Sequence, residues 1–414
     1  MSFYHGLSGL NASSKSLDVI GHNIANGNTT GFKGSRAEFN EMVASAMGAA
    51  GGNNTGIGVS VAAVTQQFSQ GVITPTSNGL DMAIDGDGFF VVNTTSGTAY
   101  TRSGNFQLNK NGDLETVNGD KVMGYTVDPI TGLRNSVTLG PITFPTGAPI
   151  PAKQTTSVSY ILNLDARANL AAGDANATPP IEPTPRATYG TSLQVFDSLG
   201  VAHPASVYFE KTGPNTWNVF DSLTATDPIG ALKFNSDGTL QSATPAPPAA
   251  ATDPFELTIN PTTGAASPFA VKLDLGKTTQ FGSAWSVAKA TQDGYASGEL
   301  TDVNVSKDGT LMASYSNGIT RPEAQIALAK FTNVQGLISD GNNNWLASND
   351  SGPAVYGSAA SGSFGNIQGK ALEQSNVDMT AELVNMMTAQ RAYQANAQTI
   401  KTQDQIFSTL VNLR

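Results

Sequence analysis

A chain of 414 residues with a hydrophobic share of 39% can bury the cores of two or three domains, which excludes a disordered tail. Charged residues make up only 13%, against the usual ~25%, and Gly (43) and Pro (21) with Thr, Asn and Ser fill the difference, a profile of β-rich domains with many turns. The net charge of -10 is diffuse and forms no basic stripe, which argues against nucleic acid, and the absence of cysteine removes disulfides, thiolate zinc sites and cysteine nucleophiles.

Met1-Ser2-Phe3-Tyr4-His5 shows no basic region followed by an apolar run and a small-residue cleavage site, so no Sec-type signal peptide is expected. No apolar run approaches the ~20 residues of a membrane span. Phe3, Leu10, Leu17 and Ile24 recur every seven residues, with Leu7 and Ile20 beside that line. This spacing predicts a helix from Ser2 to Ala25, stopped by Asn26-Gly27 in the left-handed manner. Residues 31–72 read as a connector, and the Gly-rich stretch 45–58 within it as a flexible one.

Strands are expected at Phe89–Val92, Ser157–Leu164, Leu193–Phe196, Ser206–Glu210, Trp217–Phe220 and Gln325–Phe331. One pattern occurs three times, starting at Phe106, Leu232 and Val303: two alternating apolar residues, a polar turn with Gly112, Gly238 or Gly309, and a resuming Leu. Each predicts a β-hairpin. Residues 168–185 and 245–251 read as loops.

At the far end, Ser375 and Asp378 suggest a capping box, after which Met379, Met386, Tyr393, Ile400 and Phe407 again step by sevens. Leu383, Ala397 and Val411 lie three or four residues from that line. With no Gly or Pro from Asn376 onward, one helix of roughly 55 to 60 Å is predicted, at ~1.5 Å per residue. Such stripes ordinarily pack on a domain's own core. Here they flank a β-rich middle, and an antiparallel pair of unequal helices leaves part of the longer seam in need of other partners. Copies of the same chain are the simplest candidates.

Nothing in the chain assembles a catalytic motif. His5, His22 and His203 are far apart in sequence, which disfavours a metal site. Asp85-Gly86-Asp87-Gly88 and Asn109–Asp113 lack the spacing and closing Glu of a calcium loop. Gly276-Lys277-Thr278 lacks the first Gly of a phosphate loop, since position 271 is Val271. No cofactor and no small-molecule substrate are expected. A secreted carbohydrate-active enzyme is the rival reading from another class, and no paired carboxylates point to it.

Several segments, taken together, resemble the signatures of the bacterial flagellar rod and hook proteins. They are Ser8–Ala12, Leu17–Asn26 and Thr29–Lys33 at one end, and Ala371–Asp378, Glu382–Met386 and Gln390–Asn396 at the other. His22 stands where that family usually has Asn. The interior stretch Gly79–Phe90 with Tyr100–Phe106 is similar to one shared by rod and hook subunits, and Thr399–Arg414 looks specifically like the hook branch. The rod branch, with its shorter chains, is the alternative.

The resemblance implies a multidomain α+β fold. Long terminal helices would form a coiled-coil core domain (1–30 with 366–414), with two mainly-β domains nested between them: an inner one (73–152 with 292–365) and an outer one (153–291). It implies a homo-oligomeric helical tube built through Leu7, Leu10, Leu17, Ile20, Ile24, Leu383, Met386, Tyr393, Ile400, Phe407 and Val411. It also implies extracellular assembly through the flagellar type III export apparatus. The distal rod protein, hook cap protein and hook–filament junction protein would be its partners. Residues 45–58 are longer than the matching stretch of the shorter hook relatives.

Overall fold

The computed structural model describes residues 2–43, 56–146, 149–247, 254–262 and 264–412. Two long helices, α1 (Ser2–Ala25) and α2 (Met379–Asn412), flank a middle built of strands, as the periodicity predicts. The chain divides into two compact units, one of residues 1–147, 300–314 and 320–414, the other of 148–299 and 315–319. Residues 44–55, most of the Gly-rich connector, and 248–251 of the second Pro-rich loop lie outside the described residues.

The helix ends differ in detail from expectation. Asp378 alone caps α2, its Oδ1 accepting the amides of Thr380 (2.9 Å) and Ala381 (3.2 Å), while Ser375 Oγ accepts only from Val377 N–H. At the end of α1 the left-handed residue is Gly31 (φ +70°), four positions beyond Gly27. Gly27 lies instead against Met379, whose side chain would have to shift to admit a Cβ there.

In the first unit, β1 (Ser35–Val43) and β2 (Gly56–Gln66) form a two-stranded antiparallel ribbon within the segment read as a connector. A two-stranded ribbon is marginal alone. This one is tied to α1, with Val59 N–H donating to Ser8 Oγ (3.3 Å) and His5 Nε2 2.7 Å from the Gly56 carbonyl. Beyond it lies an antiparallel sheet drawn from both halves of the sequence, in which Thr320–Lys330 pairs with Lys121–Thr126, Phe89–Thr94 and Val355–Ser358. Its core is aromatic: Phe89 meets Phe331 and Trp345 edge-on, and Tyr100 meets Phe331 at 4.7 Å between centroids.

The second unit has two five-stranded sheets over one shared core. Five consecutive strands from Gly190 to Pro245 form an antiparallel meander. In the other sheet Ser157–Asp165 is central, parallel to Phe269–Asp274 and Thr279–Phe281 and antiparallel to Ser286–Gln292. Alternate residues point inward, so Val158, Tyr160, Leu162 and Leu164 are all buried. Asp293 pins the start of that strand by accepting the amides of Thr156 and Ser157, both at 2.9 Å. Burial opposes the Asp293 charge, but the Thr156 hydroxyl, which donates to Oδ2, these amides and Lys153 hold its carboxyl below the usual range. A lowered folded-state pKa means stability that is present above the unfolded-state value and lost as pH falls through the folded one. Acid titration of the second unit should therefore show a loss starting below about pH 4, and Asp293→Asn should flatten that limb in unfolding curves.

All three repeated motifs fold alike. Asn109, Asn235 and Ser306 each donate N–H to the residue four ahead and accept from Gly112, Gly238 or Gly309, whose φ values are +83°, +86° and +79°. The carbonyls of these glycines then accept a bond from a third segment, at Phe144, Gln280 and Ile326 respectively, at 2.8 to 2.9 Å. The Gly thus turns the hairpin and docks it. At Gly238 a Cβ would sit 2.5 Å from the Gln280 carbonyl oxygen as well as in the left-handed region. Gly238→Ala should destabilise the second unit by about 2 kcal/mol, read by denaturant unfolding.

Candidate functional site

Two features of the first unit bear on function: the seam between α1 and α2, and the junction joining them to the sheet. Along α1 the residues Gly6, Gly9, Ser13, Ser16, Ile20, Asn23 and Gly27 alternate steps of three and four, a heptad line one position away from the leucines. This line meets α2 running antiparallel. A Cβ on Gly6 would lie 3.0 Å from Ile400, and one on Gly9 would lie 2.8 Å from Asn396. Asn396 Nδ2 is 3.5 Å from Ser13 Oγ, Asn23 Nδ2 is 3.5 Å from Glu382 Oε1, and Gly27 abuts Met379. On α2 the least exposed positions are Glu382, Met386, Ala389, Asn396, Ala397, Ile400 and Gln403, and all but Ala397 step likewise. Glycines on one helix let the backbones approach, and the seam takes small and polar side chains as readily as apolar ones. Beside it, α1, α2 and the ribbon frame an open cleft of about 870 Å³.

The predicted association residues divide accordingly. Met386 and Ile400 lie in this intramolecular seam; Ile20 is buried, and Leu10, Leu17 and Ile24 are half-buried. Leu7 (38% exposed), Leu383 (49%), Tyr393 (38%) and Phe407 (54%) stay open to solvent, as do Val384 and Met387. The Val411 side chain falls outside the described residues. On α2, Leu383, Val384 and Met387 form an exposed apolar patch among the described residues.

At the junction, Glu373 is fully buried and binds two cations from distant segments. Lys33 Nζ lies 2.6 Å from Oε1 and Arg102 Nη1 lies 3.1 Å from Oε2, with both cations nearly as buried. Gly71 N–H also donates to Oε1 (2.9 Å), and Gly31 N–H donates to the Glu373 carbonyl (2.8 Å). Burial pulls the Lys33 ammonium below the usual lysine range, and the Glu373 carboxylate opposes that shift. Two asparagines complete the grip. Asn23 holds Ser35 through both its N–H and its C=O, and Asn376 accepts from Gly34 N–H while donating to the Gln67 carbonyl. Sequence reasoning used Lys33, Arg102, Glu373 and Asn376 only as parts of recognisable motifs. The available signal was that three of these motif segments each carry a charge in a chain that has few.

Several of the residues considered for chemistry have partners of other kinds. His22 packs edge-on to Phe32, His203 Nε2 lies 2.9 Å from Asp197 Oδ2, and Asp87 pairs with Lys330 at 2.8 Å. Among the described residues no three His, Cys, Asp or Glu side chains group as a metal site.

Four family models match. Residues 3–33 match the flagella basal body rod protein, 83–159 the flagellar hook protein FlgE/F/G D1 domain, 163–295 the flagellar basal body protein FlaE D2 domain, and 368–413 the flagellar basal body rod FlgEFG protein C-terminal model. Among similar proteins, flagellar hook protein FlgE of Escherichia coli is 41% identical over 432 residues, covering all of both chains. The proteins of that name from Salmonella typhimurium (41%, all of both chains) and Treponema pallidum (32%, all of this chain and 99% of the other) are alike over their length. The crystal structure of Helicobacter pylori flagellar hook protein FlgE2 shares the fold, with a TM-score of 0.51 at 16% identity, over 73% of this chain and 100% of that one. With end-to-end identity above 30% to these relatives, and with the paired terminal helices around a β-rich middle, this chain belongs to the flagellar hook protein FlgE family.

Proposed function

We propose that the chain is the structural subunit of the bacterial flagellar hook, not an enzyme, and that it polymerises into a flexible tube that carries torque from rod to filament. The observation that carries this reading is the antiparallel helix pair, which satisfies one seam internally and leaves Leu7, Leu383, Tyr393 and Phe407 exposed for neighbouring copies. Leu10, Leu17, Ile20, Ile24, Met386, Ile400 and Val411 belong to the same terminal assembly. The domain assignment goes with it: 1–30 with 366–414 for the helical core, 31–72 between, 73–152 with 292–365 and 153–291 for the two β domains.

Bending during rotation requires neighbouring subunits to slide, which low-charge polar β surfaces permit and large apolar interfaces would resist. The distal rod protein, the cap protein and the hook–filament junction protein are the partners this role requires. The flagellar type III apparatus would deliver the chain to the extracellular hook. Electron microscopy of a strain lacking the gene tests the reading. Rods without hooks or filaments are expected, restored by the gene in trans; filaments still joined through normal hooks would sink it.

A further inference from the structure

Glu373 joins three points of the sequence that only the folded sheet brings together. Lys33 follows α1 by eight residues, Glu373 precedes α2 by six, and Arg102 leaves the strand Gly97–Thr101. The seam that begins beyond them has a loop-closure problem. Gly6 meets Ile400, and bringing such distant residues together from an open chain costs entropy that grows with the length between them. Once Lys33 and Glu373 are joined, only a few residues on each side separate the junction from the first seam contact, Gly27 against Met379. Helix nucleation, the costly step of ordering α1 and α2, would then start from a fixed point.

The chemistry makes the closure all-or-none. A buried carboxylate with one cation missing, or two cations without the carboxylate, is far less favourable than the full set. The cluster closes only when both chain ends are in register with the sheet. The main-chain bonds fix the same register, Gly31 N–H to the Glu373 carbonyl and Gln374 N–H to the Val72 carbonyl, each 2.8 Å.

We propose that the Lys33–Glu373–Arg102 cluster is the latch from which the terminal helix pair orders: it closes with the sheet in the free chain and sets α1 beside α2, so that the pair orders as neighbouring copies bind. The proposal rests on the hook-subunit reading, because ordering of the helices is read through polymerisation.

Amide hydrogen exchange on the dilute full-length chain, with the lag of its polymerisation, tests it. In the unaltered chain the amides of Gly31 and Gly71 should be as protected as that of Val91, while those of α1 and α2 exchange quickly. Glu373→Gln should speed Gly31 and Gly71 at least about 100-fold, leave Val91 unchanged, and lengthen the lag at least tenfold. If that variant does not fold, Lys33→Met with Glu373→Gln, which removes one buried cation together with the carboxylate, is scored by the same readouts. A variant that polymerises with the unaltered lag overturns the latch, as does one that speeds Val91 equally, since the cluster would then only prop the sheet. An unaltered chain that never polymerises overturns the hook-subunit reading instead.

Discussion

Trp217→Ala should unfold the second unit at a temperature more than about 10 °C below the unaltered protein. The indole is fully buried among the side chains of both sheets and stands edge-on to Tyr189 at 5.4 Å. Truncation removes that volume from a core that cannot collapse onto it, a loss of about 3 to 5 kcal/mol. It also strands the Gln280 side-chain Oε1, which accepts from the indole N–H at 2.9 Å, while the Gln280 Nε2 stays tied to the Pro214 carbonyl. Trp217→Phe keeps most of the packing and loses the hydrogen bond, so it should cost about half as much. Calorimetry resolving two transitions checks this: the one belonging to the second unit moves, and the one belonging to the first unit stays.

Gly9→Leu should abolish tube formation while leaving both β cores folded. Position 9 faces Asn396, and even a Cβ there would come within 2.8 Å of that side chain. A Leu has to push the helices apart, which breaks the Gly6 to Ile400 contact and the Asn396 to Ser13 approach above and below it. Overpacking of this kind costs about 1 to 3 kcal/mol. Lys15→Ala, on the exposed face of the same helix, makes the contrast, since it leaves this seam untouched. Sedimentation of polymer should fall to background for Gly9→Leu. A Gly9→Leu chain that still sediments as tubes would show that this seam is dispensable.

The periodic and turn-bearing parts of the fold were legible in the sequence. Both terminal helices, six strands and all three hairpins follow from spacing alone, because each depends on neighbours within a few residues. The line Met379, Met386, Tyr393, Ile400 was visible as a seven-residue step. Of that line Met386 and Ile400 reach the seam; their companions there, Glu382, Ala389, Asn396 and Gln403, carry no apolar stripe of their own. A search for apolar stripes likewise drew attention to the leucines of α1 rather than to Gly6, Gly9 and Ser13 one position away. The β1 and β2 ribbon escaped notice because neither strand buries one clean face: Phe39, Met42, Val61 and Val64 all remain at least 40% exposed. At the junction the charges stand out in the sequence, but their pairing does not. That Glu373 meets Lys33 and Arg102 is a property of the folded sheet, and no local pattern encodes it.

The composition of the helix seam has a consequence for how the chain ends behave over time. A zipper lined by leucine is sticky and tolerant, able to slip by a heptad and still bury its side chains. A seam of glycine, serine and asparagine is weak and exacting, because a shifted register would set Asn396 and Glu382 against groups that cannot answer them. Such a pair can open and reform at little cost, yet always in the same alignment. In a tube whose subunits are strained on every revolution, that gives contacts able to yield and return without drifting.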